Sequence, residues 1–157
     1  MEVQKVGYLV WENWGLKLIM TRGRLSRLLF VPKGKAAGAT EPELAEARLQ
    51  LLAYLKGSRK GFTLELDPAG TEFQKEVWNA LREIPYGETR SYKQIAERTG
   101  RPKACRAVGQ AANKNPLPIV IPCHRLVGAN GSLTGYAGGL EMKRYLLELE
   151  RRTLEQE

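Results

Sequence analysis

The sequence predicts an α+β (mixed α/β) fold with two lobes: a small β-sheet with one helix, then a mostly helical lobe that contains a helix-turn-helix. Three observations indicate this. The first third of the chain consists of β-prone runs separated by turn residues, which is typical of strands. From Thr71 onwards apolar residues recur at helical spacing behind two capping boxes. Asp67-Pro-Ala-Gly70 separates the patterns, so we expect lobes at residues 1–68 and 69–157.

The N-terminal lobe is predicted to begin with three strands. The β-prone runs are Val3 to Trp11, Leu16 to Thr21 and Leu25 to Val31. Gly23 suits a hairpin turn between the last two runs.

A helix and a further strand are predicted to follow. Leucines fall on one face of Glu41 to Lys56, acidic residues lie near its start, and Gly57 suits its end. Phe62, Leu64 and Leu66 alternate with polar residues, which predicts a fourth strand.

The second lobe is predicted to contain four helices. The first begins at the capping box of Thr71 and Gln74 and ends at Ile84-Pro-Tyr-Gly87. A second capping box, Ser91 with Gln94, opens a short helix that ends in a turn at Thr99-Gly-Arg101. The remaining predicted helices run from Pro102 to about Asn113 and from Leu140 to Arg152.

Composition limits the classes of function. The 157 residues carry 25 basic and 17 acidic side chains, a net charge of +8, and residues 86–125 alone carry +6. A polyanionic partner, nucleic acid or an anionic membrane, is therefore expected. Two cysteines and one histidine exclude a disulfide scaffold and a four-ligand zinc site made of Cys and His alone. The sequence shows no apolar run long enough to span a bilayer and no signal-peptide pattern, so we expect a cytoplasmic protein.

The helix-turn-helix lies inside the basic segment. Its second helix has an apolar face of small residues and a polar face. The apolar face comprises Ala104, Ala107, Val108 and Ala111, and the polar face Lys103, Arg106, Gln110 and Lys114. Small residues around one long arginine suit a shallow minor-groove approach with an inserted side chain. An ordinary helical hairpin with a solvated face is the alternative.

A proline-bounded segment leads to the candidate nucleophile. Leu117 to Ile121 is predicted to be extended and buried, and Cys123 and His124 follow where it emerges. A thiol needs a base or a positive field to ionise, and His124 is the only imidazole in the chain. The carboxylate that would orient this base cannot be identified from spacing. The alternatives are an inert buried cysteine and a hydrogen-bonded structural histidine.

Residues 71–150 resemble the catalytic domain of the methylated-DNA–protein-cysteine S-methyltransferases, or O6-alkylguanine-DNA alkyltransferases. The motifs that carry the resemblance are Phe73-Gln-Lys-Glu-Val-Trp78, Ile84-Pro-Tyr-Gly-Glu-Thr89, Ser91-Tyr-Lys-Gln-Ile-Ala96, Arg106-Ala-Val-Gly109, Asn113-Lys-Asn-Pro116, Ile121-Pro-Cys-His-Arg-Leu-Val127, Gly135-Tyr-Ala-Gly-Gly-Leu140 and Lys143-Arg-Tyr-Leu-Leu-Glu-Leu-Glu150. The first 66 residues resemble the family's variable N-terminal lobe only in layout.

The resemblance implies a role for five catalytic positions. Cys123 would accept the alkyl group. His124, through a water, and Glu150 would relay the thiol proton. Asn115 would brace the turn between the recognition helix and the active-site segment. Tyr92 would crowd the target phosphate and donate a hydrogen bond to guanine.

The resemblance also implies a base pocket and a DNA-facing surface. The pocket would contain Tyr136, Ala137, Leu126 and Gly138. The DNA-facing residues would be Arg106, Ala104, Lys103, Gln110, Ala107, Gly109 and Arg125. Arg106 would fill the gap left by the flipped nucleotide. Ala137 lies where many members of the family have Ser, which leaves the selectivity for bulky alkyl groups open.

The expected activity is therefore repair of O6-alkylguanine, and of O4-alkylthymine, by one irreversible transfer to Cys123. A thioether has no ready hydrolytic exit, so the protein would react once, without cofactor or metal. Its partner would be double-stranded DNA, bound in the minor groove. The protein would act as a monomer, and no membrane would be involved. A helix-turn-helix protein that binds DNA or flags lesions without transfer is the alternative, and an acyl-cysteine hydrolase fits less well.

Overall fold

A computed structural model describes residues 4–157 and divides the chain into two compact units, one ending at Ala69 and one running from Gly70 to Glu157. Val3, the first residue of the first predicted strand, lies outside the described residues. The described elements include a three-stranded antiparallel sheet, a short two-stranded parallel sheet and five α-helices, which confirms the predicted mixed α/β class. Within residues 4–157 no helix is both long and apolar enough to cross a bilayer.

The sheet of the first unit consists of β1 (Gln4–Trp11), β2 (Trp14–Thr21) and β3 (Arg24–Val31) in the order β1-β2-β3. The β2–β3 turn contains Arg22 and Gly23, both at positive φ (55° and 77°). Two residues of positive φ are what a tight type I′ hairpin turn requires, and this explains the glycine.

Helix α1 (Ala45–Leu55) is shorter than the predicted Glu41 to Lys56. Pro42 opens a 3-10 turn before it, and the Glu41 carboxylate accepts a hydrogen bond from the backbone N–H of Val6 in β1 (2.5 Å). The side chain of Glu41 therefore binds the backbone of the sheet and does not cap the helix. Leu51 is completely buried on this helix.

The predicted fourth strand is wrong. Residues 62–66 form no ladder, and only Leu66 makes a bridge, to Leu25 of β3. The side-chain oxygen of Gln50 accepts a hydrogen bond from the backbone N–H of Thr63 (3.0 Å). A side chain, and not a neighbouring strand, therefore satisfies that donor.

The second unit contains α2 (Glu72–Arg82), α3 (Tyr92–Arg98), α4 (Cys105–Asn113) and α5 (Leu140–Glu155). Both predicted capping boxes are present at the starts of α2 and α3. Two short strands, β4 (Arg90–Ser91) and β5 (Leu126–Val127), pair in parallel. The indole N–H of Trp78 donates to the carbonyl of Ala111 (2.9 Å), which ties α2 to α4.

Two local predictions in this unit are wrong. Pro102 does not open α4, because Arg101 to Ala104 form a turn closed by a bond from the Ala104 N–H to the Arg101 carbonyl (2.9 Å). Leu117 to Ile121 is buried but not extended. Ile119 has a φ of +77°, and the Ile121 N–H donates to the Leu117 carbonyl (2.8 Å). The prolines at 116, 118 and 122 thus shape a compact turn that aims Cys123.

Burial on α1 gives a matched pair of variants. Leu51 is fully buried, whereas Leu49 is 63% exposed on the same helix. We expect Leu51→Ala to lower the free energy of unfolding by about 2–5 kcal/mol through lost burial and a cavity. Leu49→Ala should change it by no more than about 0.5 kcal/mol. Urea denaturation checks this, and equal effects of the two variants would contradict the assigned core.

Candidate active site and DNA-facing helix

Asn115 shapes the segment between α4 and Cys123. Its side-chain amide donates to the carbonyl of Ile121 (2.9 Å), and its side-chain oxygen accepts the N–H of Leu117 (2.9 Å). One buried amide therefore closes the turn at both ends. Cys123 follows at the start of a 3-10 turn, Cys123–Arg125.

Cys123 is buried, with 9% of the residue exposed. Burial raises the pKa of this thiol to about 11, although a hydrogen bond with Asn115 and the positive charge of Lys143 act in the opposite direction. The resting form is consequently the neutral thiol. A base must take its proton if the sulfur is to act as a nucleophile.

Glu150 of α5 is the polar centre of this unit. Its carboxylate is fully buried and accepts hydrogen bonds from three residues. The partners are the His124 ring Nε2 (2.7 Å), the Arg125 guanidinium (2.8 and 2.9 Å at its shortest contacts) and the backbone N–H of Gly87 (2.9 Å). The charge is thus paired and hydrogen-bonded, as a buried charge must be.

These contacts determine the protonation of His124. Burial opposes ionisation of Glu150, but the hydrogen bonds from His124 and Arg125 outweigh it and hold the pKa of the carboxyl at about 2. An ionised carboxylate can only accept, so Nε2 of His124 carries a proton. Burial lowers the pKa of His124 in spite of the opposing effect of Glu150, so the ring is neutral. Nδ1 then has the lone pair that a base needs.

The prediction that Arg125 faces DNA is wrong. Only 7% of the residue is exposed. Its guanidinium is committed to Glu150 and to the carbonyl of Ile84 (2.8 Å), and it lies 5.5 Å from the ring centroid of Tyr86. Arginine is the residue that most readily forms such a bidentate buried pair, and here it neutralises the carboxylate that holds His124.

A small cavity brings most of the predicted catalytic and pocket residues together. Its lining is Tyr92, Ala112, Asn113, Asn115, Cys123, Leu126, Gly135, Tyr136, Ala137 and Lys143. Gly138, which was also predicted to lie in the pocket, is not part of this lining. The ring of Tyr136 stands edge-on to His124, with 6.5 Å between the centroids.

Helix α4 presents the polar face predicted for it. Arg106 and Gln110 are exposed, as is Lys103 in the preceding turn, whereas Ala104, Ala107 and Gly109 are half-buried. A Cβ on Gly109 would lie 3.3 Å from the Tyr92 ring, so the glycine lets α3 and α4 approach closely.

The sequence indicates no role for two residues near the pocket, Lys143 and Thr134. Lys143 of α5 is buried, and its ammonium donates to the Leu126 carbonyl (2.6 Å) and the Thr134 carbonyl (3.3 Å). The hydroxyl of Thr134 is hydrogen-bonded to the hydroxyl of Tyr92. A signal for Lys143 exists, because it falls with Leu146 and Glu150 on the buried stripe of an amphipathic helix. Thr134 lies in a loop, where periodicity carries no information.

Comparisons with known proteins show what this chain is similar to. Residues 72–152 match the family model described as "6-O-methylguanine DNA methyltransferase, DNA binding domain". The chain is 63% identical to the methylated-DNA–protein-cysteine methyltransferase of Methanosarcina acetivorans over 105 residues, 67% of each chain. It is similar to the crystal structure of Mycobacterium tuberculosis O6-methylguanine methyltransferase (TM-score 0.85, 42% identity, covering 96% of this chain and 94% of that one). It also resembles Mycobacterium tuberculosis OGT in complex with DNA (TM-score 0.84, 44% identity, 94% and 93%).

Replacing Glu150 by Gln tests the buried cluster. Because Glu150→Gln leaves the Arg125 charge buried without its counter-ion, we expect the free energy of unfolding at neutral pH to fall by about 3–5 kcal/mol. The native carboxyl has its pKa lowered from 4.5 to about 2, so its contribution is complete above pH 4.5 and disappears as the pH falls towards 2. The difference between wild type and variant should therefore shrink over that window, as measured by urea denaturation.

Glu148→Gln is the matched control, since Glu148 lies on the same helix in an exposed ion pair with Arg151. This variant should leave the free energy of unfolding nearly unchanged. A difference between wild type and Glu150→Gln that stays constant from pH 7 to pH 2 would contradict an ionised Glu150.

Proposed function

The chain belongs to the methylated-DNA–protein-cysteine methyltransferase family, and on that premise we propose that it repairs O6-alkylguanine in duplex DNA by moving the alkyl group onto its own Cys123. It is a DNA-binding repair enzyme that reverses damage directly. The acceptor residue, the proton route and the mode of contact with DNA are proposed from its own side chains.

The observation that carries this proposal is a pocket thiol followed in the chain by a neutral imidazole whose Nε2 is held by an ionised carboxylate. Cys123 lines the pocket, His124 is the next residue, and Glu150 accepts from His124 at 2.7 Å. A buried ion cluster is costly to build. A protein that only binds or flags lesions has no need for a base beside a thiol.

In the transfer step the Cys123 thiol gives its proton to Nδ1 of His124 through a bridging water. The sulfur lone pair forms the bond to the alkyl carbon, and the electron pair of the breaking carbon–O6 bond passes to guanine. One proton returns to the leaving base, which departs as ordinary guanine. Glu150 stabilises the imidazolium that forms transiently on His124, and the Arg125 guanidinium keeps Glu150 ionised.

The reaction needs the base outside the duplex stack. The exposed polar face around Arg106 supports binding of the α4 helix in the minor groove, with the arginine in the vacated position. Lys103 and Gln110 contact the DNA backbone. The small half-buried residues Ala104 and Ala107 let this region approach the DNA closely. Such contacts read little sequence, as repair of damage in any context requires.

The product is a thioether on Cys123, which no group in the pocket can hydrolyse. We therefore propose a single turnover per molecule, by a monomer, with no cofactor. O4-alkylthymine presents the same alkyl–oxygen bond and is proposed as a second substrate.

Transfer to Cys123 is tested with duplex DNA that carries isotope-labelled O6-methylguanine. Mass analysis of the digested protein should find one label per molecule on the peptide that contains Cys123. Cys123→Ser should abolish labelling while DNA binding survives, because only the nucleophile is removed. Cys105→Ser, the matched control in α4, should label normally. Label on another peptide, or repeated turnover, would contradict the proposal.

The role of Arg106 is tested by comparing two substrates. Since base extrusion costs a few kcal/mol, we expect Arg106→Ala to slow reaction with the duplex about ten-fold or more. Reaction with free O6-methylguanine should not change, because a free base needs no extrusion. Arg152→Ala, which removes an exposed arginine from α5, controls for the loss of charge. Equal slowing on both substrates would argue against insertion of Arg106.

A further inference from the structure

The pocket around Cys123 is too small for a base in this structure. The cavity measures about 10 Å³, which is room for about one water molecule. A purine ring is far larger than a water molecule. Given the proposed function, one wall of the pocket must move before a base can reach the sulfur.

The wall that can move is the segment 128–139, which connects β5 to α5. Its hydrogen bonds between backbone atoms are local, as between Gly128 and Ser132 (2.8 Å) and between Gly139 and Tyr136 (2.9 Å). Most of its residues are exposed or half-buried. The other walls belong to helices α3, α4 and α5 and to the buried segment around Cys123, which close packing holds in place.

Thr134 attaches this segment to its surroundings in two ways. Its hydroxyl is hydrogen-bonded to the hydroxyl of Tyr92 at the start of α3. Its carbonyl receives the Lys143 ammonium at 3.3 Å, but Lys143 makes a shorter bond, 2.6 Å, to the Leu126 carbonyl. The Lys143 contact with Thr134 is thus the weaker of its two. The bond between Tyr92 and Thr134 is a side-chain tie that spans the pocket from α3 to the segment.

We propose that Thr134 is a gating residue for the base pocket: its hydroxyl holds Tyr92 and keeps the segment 128–139 closed until a base displaces it. This inference rests on the proposed function. The opening releases a phenolic hydroxyl inside the pocket, where the entering base can accept a hydrogen bond from it. One bond is exchanged for another, so closure protects the thiol while adding only a modest penalty to entry.

Free O6-methylguanine as the probe tests the gate without DNA. The initial rate of Cys123 methylation is measured by mass spectrometry over a range of base concentrations. Removal of one hydrogen bond makes the open form more populated, so Thr134→Val should lower the half-saturating concentration about five-fold. The maximal rate should not change, because neither Cys123 nor His124 is altered. Thr134→Ser keeps a hydroxyl and should behave as wild type.

Two further variants separate the gate from a general effect on structure. Thr99→Val removes a threonine hydroxyl that bonds to the Ala96 carbonyl (2.8 Å) at the end of α3, outside the pocket lining, and should leave both parameters unchanged. In a Tyr92→Phe background the tie is already absent, so adding Thr134→Val should have no further effect on the half-saturating concentration.

The outcomes distinguish the two proposals. Absence of methylation at Cys123 in the wild type, with free base and with duplex DNA, would overturn the proposed function and the gate together. Normal methylation with no change in half-saturating concentration for Thr134→Val would overturn the gate alone. A five-fold shift that persists in the Tyr92→Phe background would also overturn it, because the effect would not come from the tie.

Discussion

The carboxylate of Glu150 is the group around which the catalytic unit is arranged. It is completely buried on α5, and it binds the 3-10 turn through His124 and Arg125 and the loop after α2 through Gly87. Gly87 has a φ of +82°, a backbone conformation that residues with a side chain rarely adopt, and this explains the glycine. Loss of the carboxylate would leave a buried guanidinium and an unsupported imidazole. Stability and chemistry thus depend on the same group.

The sequence predicts the structure correctly where local signals decide it. The capping boxes at Thr71 and Ser91 start helices because the cap bonds lie within four residues. Structure that depends on a distant partner does not follow from the sequence. Apolar and polar residues alternate at 62–66, but the backbone N–H of Thr63 donates to the side chain of Gln50 and not to a neighbouring strand. Arg125 has the charge expected of a DNA contact, but a carboxylate 25 residues away turns it inward.

The same limit applies to the candidate site. Cys123 and His124 stand out from the sequence because a proline-bounded apolar run leads to the only imidazole. Spacing alone could not indicate the carboxylate, and the family resemblance supplied Glu150. The sequence indicates no role for Lys143 or Thr134, because their roles depend on contacts with the carbonyl of Leu126 and the hydroxyl of Tyr92. Such contacts exist only once the helices have packed together.

An ionised Glu150 fixes a neutral His124 with its proton on Nε2. His124 is the only histidine, so its nitrogen resonances can be assigned without ambiguity in a uniformly ¹⁵N-labelled sample. Long-range proton–nitrogen correlation spectra of the free protein at pH 7 should show the neutral tautomer protonated at Nε2. The pattern should persist below pH 6.5, because burial lowers the pKa of His124. An imidazolium, or a ring protonated only at Nδ1, at neutral pH would contradict the account.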